Sequence, residues 1–201
     1  MKNICTFVAR NKMKKILKNI FVRTWALMMS TTATWEDIAE ENCKENDHFL
    51  RFVLPWIAFS TFIILIFDAL YAEVKFIETG FVHAFINVIA LLGAYYFTLA
   101  ITSSFLKKNM SGIYSVIKVE KIVAYSFSVI YVLKVVAAVI PSLFFLQILD
   151  VYTVYIVWEG CRVIFNIDED ERGKIMLFIS LSIIFTPMFI KRVILLMLPA
   201  F

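Results

Sequence analysis

The chain has 201 residues, of which 61% are hydrophobic and 18% charged, with a formal net charge of +4 and mean hydropathy +0.82. Soluble domains sit nearer half apolar with about a quarter charged, so a soluble globular domain is excluded. The apolar runs are continuous, whereas a transmembrane barrel needs short alternating segments. An all-α polytopic membrane protein is expected, a bundle of about five transmembrane helices behind an N-terminal amphipathic cytoplasmic segment.

That segment comes first. Residues 1–23 carry Lys2, Arg10, Lys12, Lys14, Lys15, Lys18 and Arg23 with no acid. From Met13 to Met28, apolar or near-neutral residues recur at helical period, with the lysines mostly opposite. Such a helix suits the interface of an anionic cytoplasmic leaflet, with its basic side chains toward the headgroups, better than it suits nucleic acid. A secretory signal is the competing reading, but Lys18 and Arg23 interrupt its apolar region.

Next comes TTATWEDIAEENCKENDHF. Thr34 and Asp37 have capping-box spacing, which predicts a short helix starting there with acids in its first turn. Trp35 and Ile38 lie one turn apart and are expected to dip into the interface together. The chain is thus divided into a cytoplasmic leader with its short helix over 1–48 and a transmembrane domain over 49–201.

Five spans follow, at about 50–71, 81–106, 122–140, 143–165 and 175–198, each near the roughly 20 apolar residues that cross a hydrocarbon core. Pro141 stops the third. With the N-terminus inside, cytoplasmic segments hold sixteen lysines and arginines against four opposite, Lys75, Lys134, Lys191 and Arg192. That bias places the N-terminus in the cytoplasm and the C-terminus across the membrane. Lys191 and Arg192 fit least well: either they snorkel from a helix kinked at Pro187 or the fifth segment is re-entrant.

Charged residues inside spans are expensive and mark candidate sites. Lys134 lies seven residues before Pro141 and Asp150 nine after it. In an antiparallel α-hairpin they would stand roughly 10 and 13 Å from the turn and could pair. Asp68 and His83 flank the neighbouring loop in the same way, and with Asn87 the five form a candidate polar cluster on the non-cytoplasmic side. In the stretch VYTVYIVWEGCRVIF, Glu159 and Arg162 have pairing spacing and Gly160 leaves room for a close helix.

Catalytic constellations are missing from the sequence: it holds no HExxH, GxSxG or Walker loop. Its two histidines, His48 and His83, do not suit haem or di-metal sites of the bis-histidine type. Cys5, Cys43 and Cys161 show no CxxC spacing. No enzyme, cofactor, metal or nucleic-acid partner is expected.

Two stretches carry a family resemblance. KKILKNIFVRTWALMMSTTATWEDIAEE, followed by FVLPWIAFSTFIIL, is similar to the opening of bacterial Yip1-family proteins. Their TW-x-x-I-x-x-E element is matched by Thr34, Trp35, Ile38 and Glu41. Ser30-Thr31-Thr32 stands where the family usually has a proline. The later stretch resembles the family's Y-x-x-Y-x-x-x-x-G signature through Tyr152, Tyr155 and Gly160, with Lys174 in the polar loop before the last span. The resemblance implies five spans and a cytoplasmic N-terminus, and the leader and composition suggest a bacterial inner membrane. It says less about activity: eukaryotic relatives are linked to vesicle traffic and prenylated GTPases. The expectation is a non-enzymatic membrane protein that interacts with lipid, with another membrane protein or with a second copy of itself. The alternative is a small transporter or channel subunit using Asp68, His83, Lys134 and Asp150.

Overall fold

The computed structural model describes the backbone of residues 19–41, 44–71, 76–110, 112, 114–167 and 169–197. The basic stretch from Lys2 to Lys18, with Cys5, Cys43 and Lys75, lies outside these residues. Among the described residues there are helices and turns and no strand. In chain order the helices are α1 (residues 19–29), α2 (Thr31–Glu40), α3 (Leu54–Tyr71, entered through a π-helical turn at Phe49–Val53), α4 (Phe76–Asn109), α5 (Val116–Ser126), α6 (Ser128–Val139), α7 (Tyr152–Phe165) and α8 (Glu169–Met197). A 3₁₀ segment, Pro141–Val151, joins α6 to α7.

Among the described residues, four stretches are long and apolar enough to cross a membrane: Phe49–Asp68, Gly80–Asn109, Val116–Val139 and Glu171–Met197. The span expected over 143–165 takes another form. Pro141 has no N–H to continue α6, Leu143 has non-helical angles (φ −89°, ψ 26°), and the chain returns as a 3₁₀ helix before α7 begins. α7 has 14 residues, roughly 21 Å, too short to cross a core of about 30 Å alone.

The surface is that of a protein in lipid. On α8, Ile175, Ile179 and Ile183 are buried while Leu177, Leu181, Phe185 and Met188 point outward. Packing between helices therefore rests on fit: Phe105 of α4 stacks on Phe178 of α8 with ring centroids 4.2 Å apart. Gly93 of α4 admits the Ile190 side chain of α8.

The short helices before the first span share this core. Ile20, Leu27, Trp35 and Ile38 are buried in one cluster with Ile156, Val157, Ile175 and Ile179. Two local expectations are corrected here. α2 starts at Thr31 behind Ser30, three residues before Thr34, and its first turn holds no acid. The Thr34 hydroxyl instead donates back to the Ser30 carbonyl at 2.9 Å, as an in-helix threonine does. Trp35 and Ile38 do not dip into an interface; both are fully buried, because α7 offers them a closer apolar surface than the bilayer would.

Candidate functional site

α2 is fastened to α7 by contacts of three kinds. The Trp35 indole N–H donates to the Ile156 carbonyl at 3.0 Å. Its six-membered ring lies on Gly160, where a Cβ would come within 2.7 Å of Cζ2. The Thr32 hydroxyl donates to Glu159 Oε2 at 2.8 Å, and Arg162 Nη2 donates to the same oxygen at 2.7 Å. The Glu159 side chain is 12% exposed and that of Arg162 46%, so the base reaches solvent while the acid stays in the joint. One helix earlier, Tyr152 donates to the Met28 carbonyl at 2.9 Å, and Trp56 of α3 donates to Thr24 at 3.0 Å.

Two adjacent residues of α5 hold the connector between α2 and α3. Glu120 accepts backbone N–H bonds from Asn46 (2.9 Å) and Phe49 (3.4 Å), at the start of the helix that leads into α3. Lys121 donates to the carbonyls of Ala39 and Glu41, at 3.0 and 2.8 Å, at the end of α2. A carboxylate thus meets a helix N-terminus and an ammonium meets a helix C-terminus, each satisfying orphan backbone groups and opposing the helix dipole. Both side chains belong to buried residues. Asn46 makes the turn in the left-handed region at φ 66°, which Asn tolerates better than most residues.

Around this joint, Arg23 pairs with Glu41 and donates to the Tyr125 hydroxyl at 3.0 Å. The imidazole of His48 packs edge-on to the Tyr125 ring, with centroids 5.6 Å apart. Burial lowers its pKa to about 4; nearby Glu41 opposes the shift and the cations Lys121 and Arg23 reinforce it. His48 is therefore neutral at pH 7.

The opposite end of the bundle holds the other polar group. His83 Nδ1 lies 2.7 Å from Asp68 Oδ2, and Asn87 donates to Thr61 at 3.0 Å and to Ser60 at 3.5 Å. Two adjoining cavities of about 420 and 360 Å³ share Lys134, Gln147, Pro187 and Lys191. Asp150 lines the first, and Asp68, His83 and Asn87 the second. The expected Lys134–Asp150 ion pair is not formed among the described residues. The chain returns from Pro141 as a 3₁₀ segment with non-helical angles at Leu143, not as an α-helix, and Lys134 and Asp150 face one cavity without reaching ion-pair distance.

A family model for the Yip1 domain matches residues 25–190. The chain belongs to the Yip1 domain family. Comparison with curated proteins and with solved structures returned no match. Within this Yip1 domain, the two sequence stretches that carried the resemblance are the two halves of one contact. Thr34, Trp35 and Ile38 lie on α2; Tyr152 and Gly160 lie on the part of α7 that receives α1 and α2. Tyr155 stands apart from this joint: it is half exposed and packs against Tyr152 at 5.5 Å. The family's acidic position, Glu41, is the partner of Arg23.

Sequence reasoning overlooked Glu120 and Lys121, which read as ordinary charges at the entry to a span. It also missed Arg172, whose guanidinium lies 4.4 Å over the Trp158 ring and ties α8 to α7. An acid and a base side by side at the start of an apolar helix were the available signal.

Proposed function

We propose that this Yip1-domain protein is a non-enzymatic organiser of the bilayer, acting through a helix held in one leaflet. The observation that carries this reading is the two-sided character of α1. Ile20, Thr24 and Leu27 are buried against the protein, while Val22, Trp25 and Met29 stand 58%, 65% and 63% exposed on the other side. Bonds from Trp56 and Tyr152 hold the helix in place, so its exposed apolar side chains are presented as a fixed wedge. Basic residues on the preceding leader favour anionic headgroups of the same leaflet. In this reading residues 1–48 are the cytoplasmic-side working part and residues 49–201 its anchor, in a bacterial inner membrane with the N-terminus in the cytoplasm. Another membrane protein or a second copy of the chain is the protein partner this surface would meet.

The test is reconstitution into vesicles of phosphatidylcholine and phosphatidylglycerol, with diameters measured by electron cryomicroscopy. Wild-type protein is expected to shift the size distribution with rising protein-to-lipid ratio, and a W25E/M29E variant to lose the effect. Equal behaviour of the two proteins overturns the reading.

The paired cavities favour a second reading, transport through the polar cluster of Asp68, His83, Lys134 and Asp150. Against it stands a buried aromatic layer between the cavities and the opposite end of the bundle. Tyr131 stacks with Trp56 (6.1 Å) and Phe127 (5.9 Å), and Phe127 meets Tyr95 (6.4 Å). A pH- or ion-driven flux in the same vesicles, abolished by Asp68→Asn, would establish transport instead.

A further inference from the structure

The cavity of about 420 Å³ between α6, the 3₁₀ segment and α8 is lined by three cationic side chains, Lys134, Lys191 and Arg192. Among the described residues, the only carboxylate on its wall is Asp150. None of the three cations forms an ion pair among the described residues. The adjoining cavity repeats Lys134 and Lys191, and its own acid, Asp68, is engaged by His83. The joint space therefore carries an excess of positive charge inside an apolar bundle.

Such a site is costly when empty of anions. Lys134, set into the bundle, loses hydration and is repelled by Lys191, and Asp150 offsets only part of that cost. An anion between them would relieve both terms, and a phosphate offers several acceptor oxygens to Lys and Arg donors at once. Apart from Gln147, the remaining walls are apolar, among them Leu133, Ala137, Ile184, Met188 and Leu195. Met188 is 62% exposed and Leu195 44%, so the apolar wall runs out onto the lipid-facing surface of α8.

The height of the cations agrees with a headgroup. Lys191 and Arg192 lie six and five residues before Met197, the last described residue of α8, about 8–9 Å along the axis. Lys134 is five residues before Val139, the end of α6, a similar depth. Long basic side chains at that depth reach the boundary between acyl chains and headgroups. Basic pockets between transmembrane helices hold anionic lipid headgroups on the same physics.

We propose that this groove binds one anionic phospholipid, its phosphate among Lys134, Lys191 and Arg192 and an acyl chain along Met188 and Leu195. The site lies at the end of the bundle away from α1, so it is independent of the wedge proposed above. It also accounts for Lys191 and Arg192, which the charge bias of the flanking segments left unexplained.

The test uses the purified full-length chain in a zwitterionic detergent, titrated with short-chain phosphatidic acid, phosphatidylglycerol or phosphatidylcholine, and separately with inorganic phosphate. Lipid retention is read by native mass spectrometry and stabilisation by thermal unfolding. The anionic lipids are expected to bind and raise the unfolding temperature, while phosphatidylcholine and inorganic phosphate at the same concentration do neither. Because Lys191 and Arg192 are exposed, K191Q/R192Q should fold and should weaken anionic-lipid binding by at least about tenfold. A K107Q/K108Q variant removes the same charge from exposed positions at the other end of the bundle and should bind as wild type does. Unchanged binding by K191Q/R192Q, or an equal loss in K107Q/K108Q, overturns the site. Inorganic phosphate displacing the lipid at equal concentration overturns the choice of a lipid as its occupant.

Discussion

Gly160 of α7 and Trp35 of α2 meet with no space between them: a Cβ on residue 160 would stand 2.7 Å from Trp35 Cζ2 and 2.8 Å from Cε2. The ring cannot retreat easily, since its N–H is bonded to the Ile156 carbonyl of the same helix. Gly160→Ala must therefore push α2 from α7 or break that bond. We expect a loss of about 1–3 kcal/mol, the usual cost of overpacking a tight contact, read as a lower unfolding temperature in detergent. Gly173→Ala is the control, because nothing lies within 4 Å of its added Cβ. In the helix α8 that change should be neutral or stabilising by up to about 1 kcal/mol. A tolerated Gly160→Ala would show that α2 is loosely held.

The Glu159–Arg162 pair is asymmetric, and its two halves should fail differently. Removing the guanidinium with Arg162→Ala leaves a nearly buried carboxylate with Thr32 as its remaining donor, at a cost of about 1–3 kcal/mol. Replacing the acid with Glu159→Gln strands no buried charge, because Arg162 is almost half exposed and can rehydrate. The second variant should lose no more than about 1 kcal/mol. Denaturant unfolding of the two variants checks the order, and the reverse order would mean that Arg162 is the constrained partner.

Stability should fall with acid through His48. Its folded-state pKa is about 4 against 6.5 for the free side chain. Between those values the unfolded chain binds a proton that the folded chain does not, so acid favours unfolding. The loss begins as pH drops below 6.5 and is complete below 4, reaching on the order of 3 kcal/mol. His48→Phe keeps the edge-on contact with Tyr125 and cannot titrate. The difference between wild type and this variant should be flat above pH 7 and open up between pH 6.5 and 4. A constant difference would show that His48 is solvated.

The side of α1 that meets lipid can be tested by fluorescence. Trp25 is 65% exposed and Trp35 fully buried. In vesicles containing lipids brominated on the acyl chains, wild-type tryptophan emission should be quenched. Trp25→Phe should remove the largest part of that quenching, and Trp35→Phe little of it. Quenching that persists in Trp25→Phe would mean that this side of α1 faces protein or water.

Most of the architecture was legible without coordinates, because the physics that sets it is local. Runs of apolar residues long enough for a bilayer identify helices wherever they stand, so four of the five expected spans coincide with long apolar helices among the described residues. The i,i+3 spacing of Glu159 and Arg162 is likewise a property of one helix, and they meet at 2.7 Å. Legibility ended where distance along the chain stopped measuring distance in space. The Lys134–Asp150 estimate assumed an α-helical return from Pro141, and the kinked 3₁₀ return leaves the two on one cavity wall without an ion pair.

The sequence by itself determined a helical membrane protein with Yip1-type motifs in two separate stretches, since hydropathy and periodicity depend on neighbours a few residues apart. Only the tertiary structure decided what those motifs are for. Trp35 and Gly160 are separated by 125 residues and in van der Waals contact, and no spacing rule connects them. Glu120 and Lys121 look like charges awaiting water until the ends of two other helices arrive beside them. A buried charge takes its meaning from the groups that replace its water, and those groups come from elsewhere in the fold.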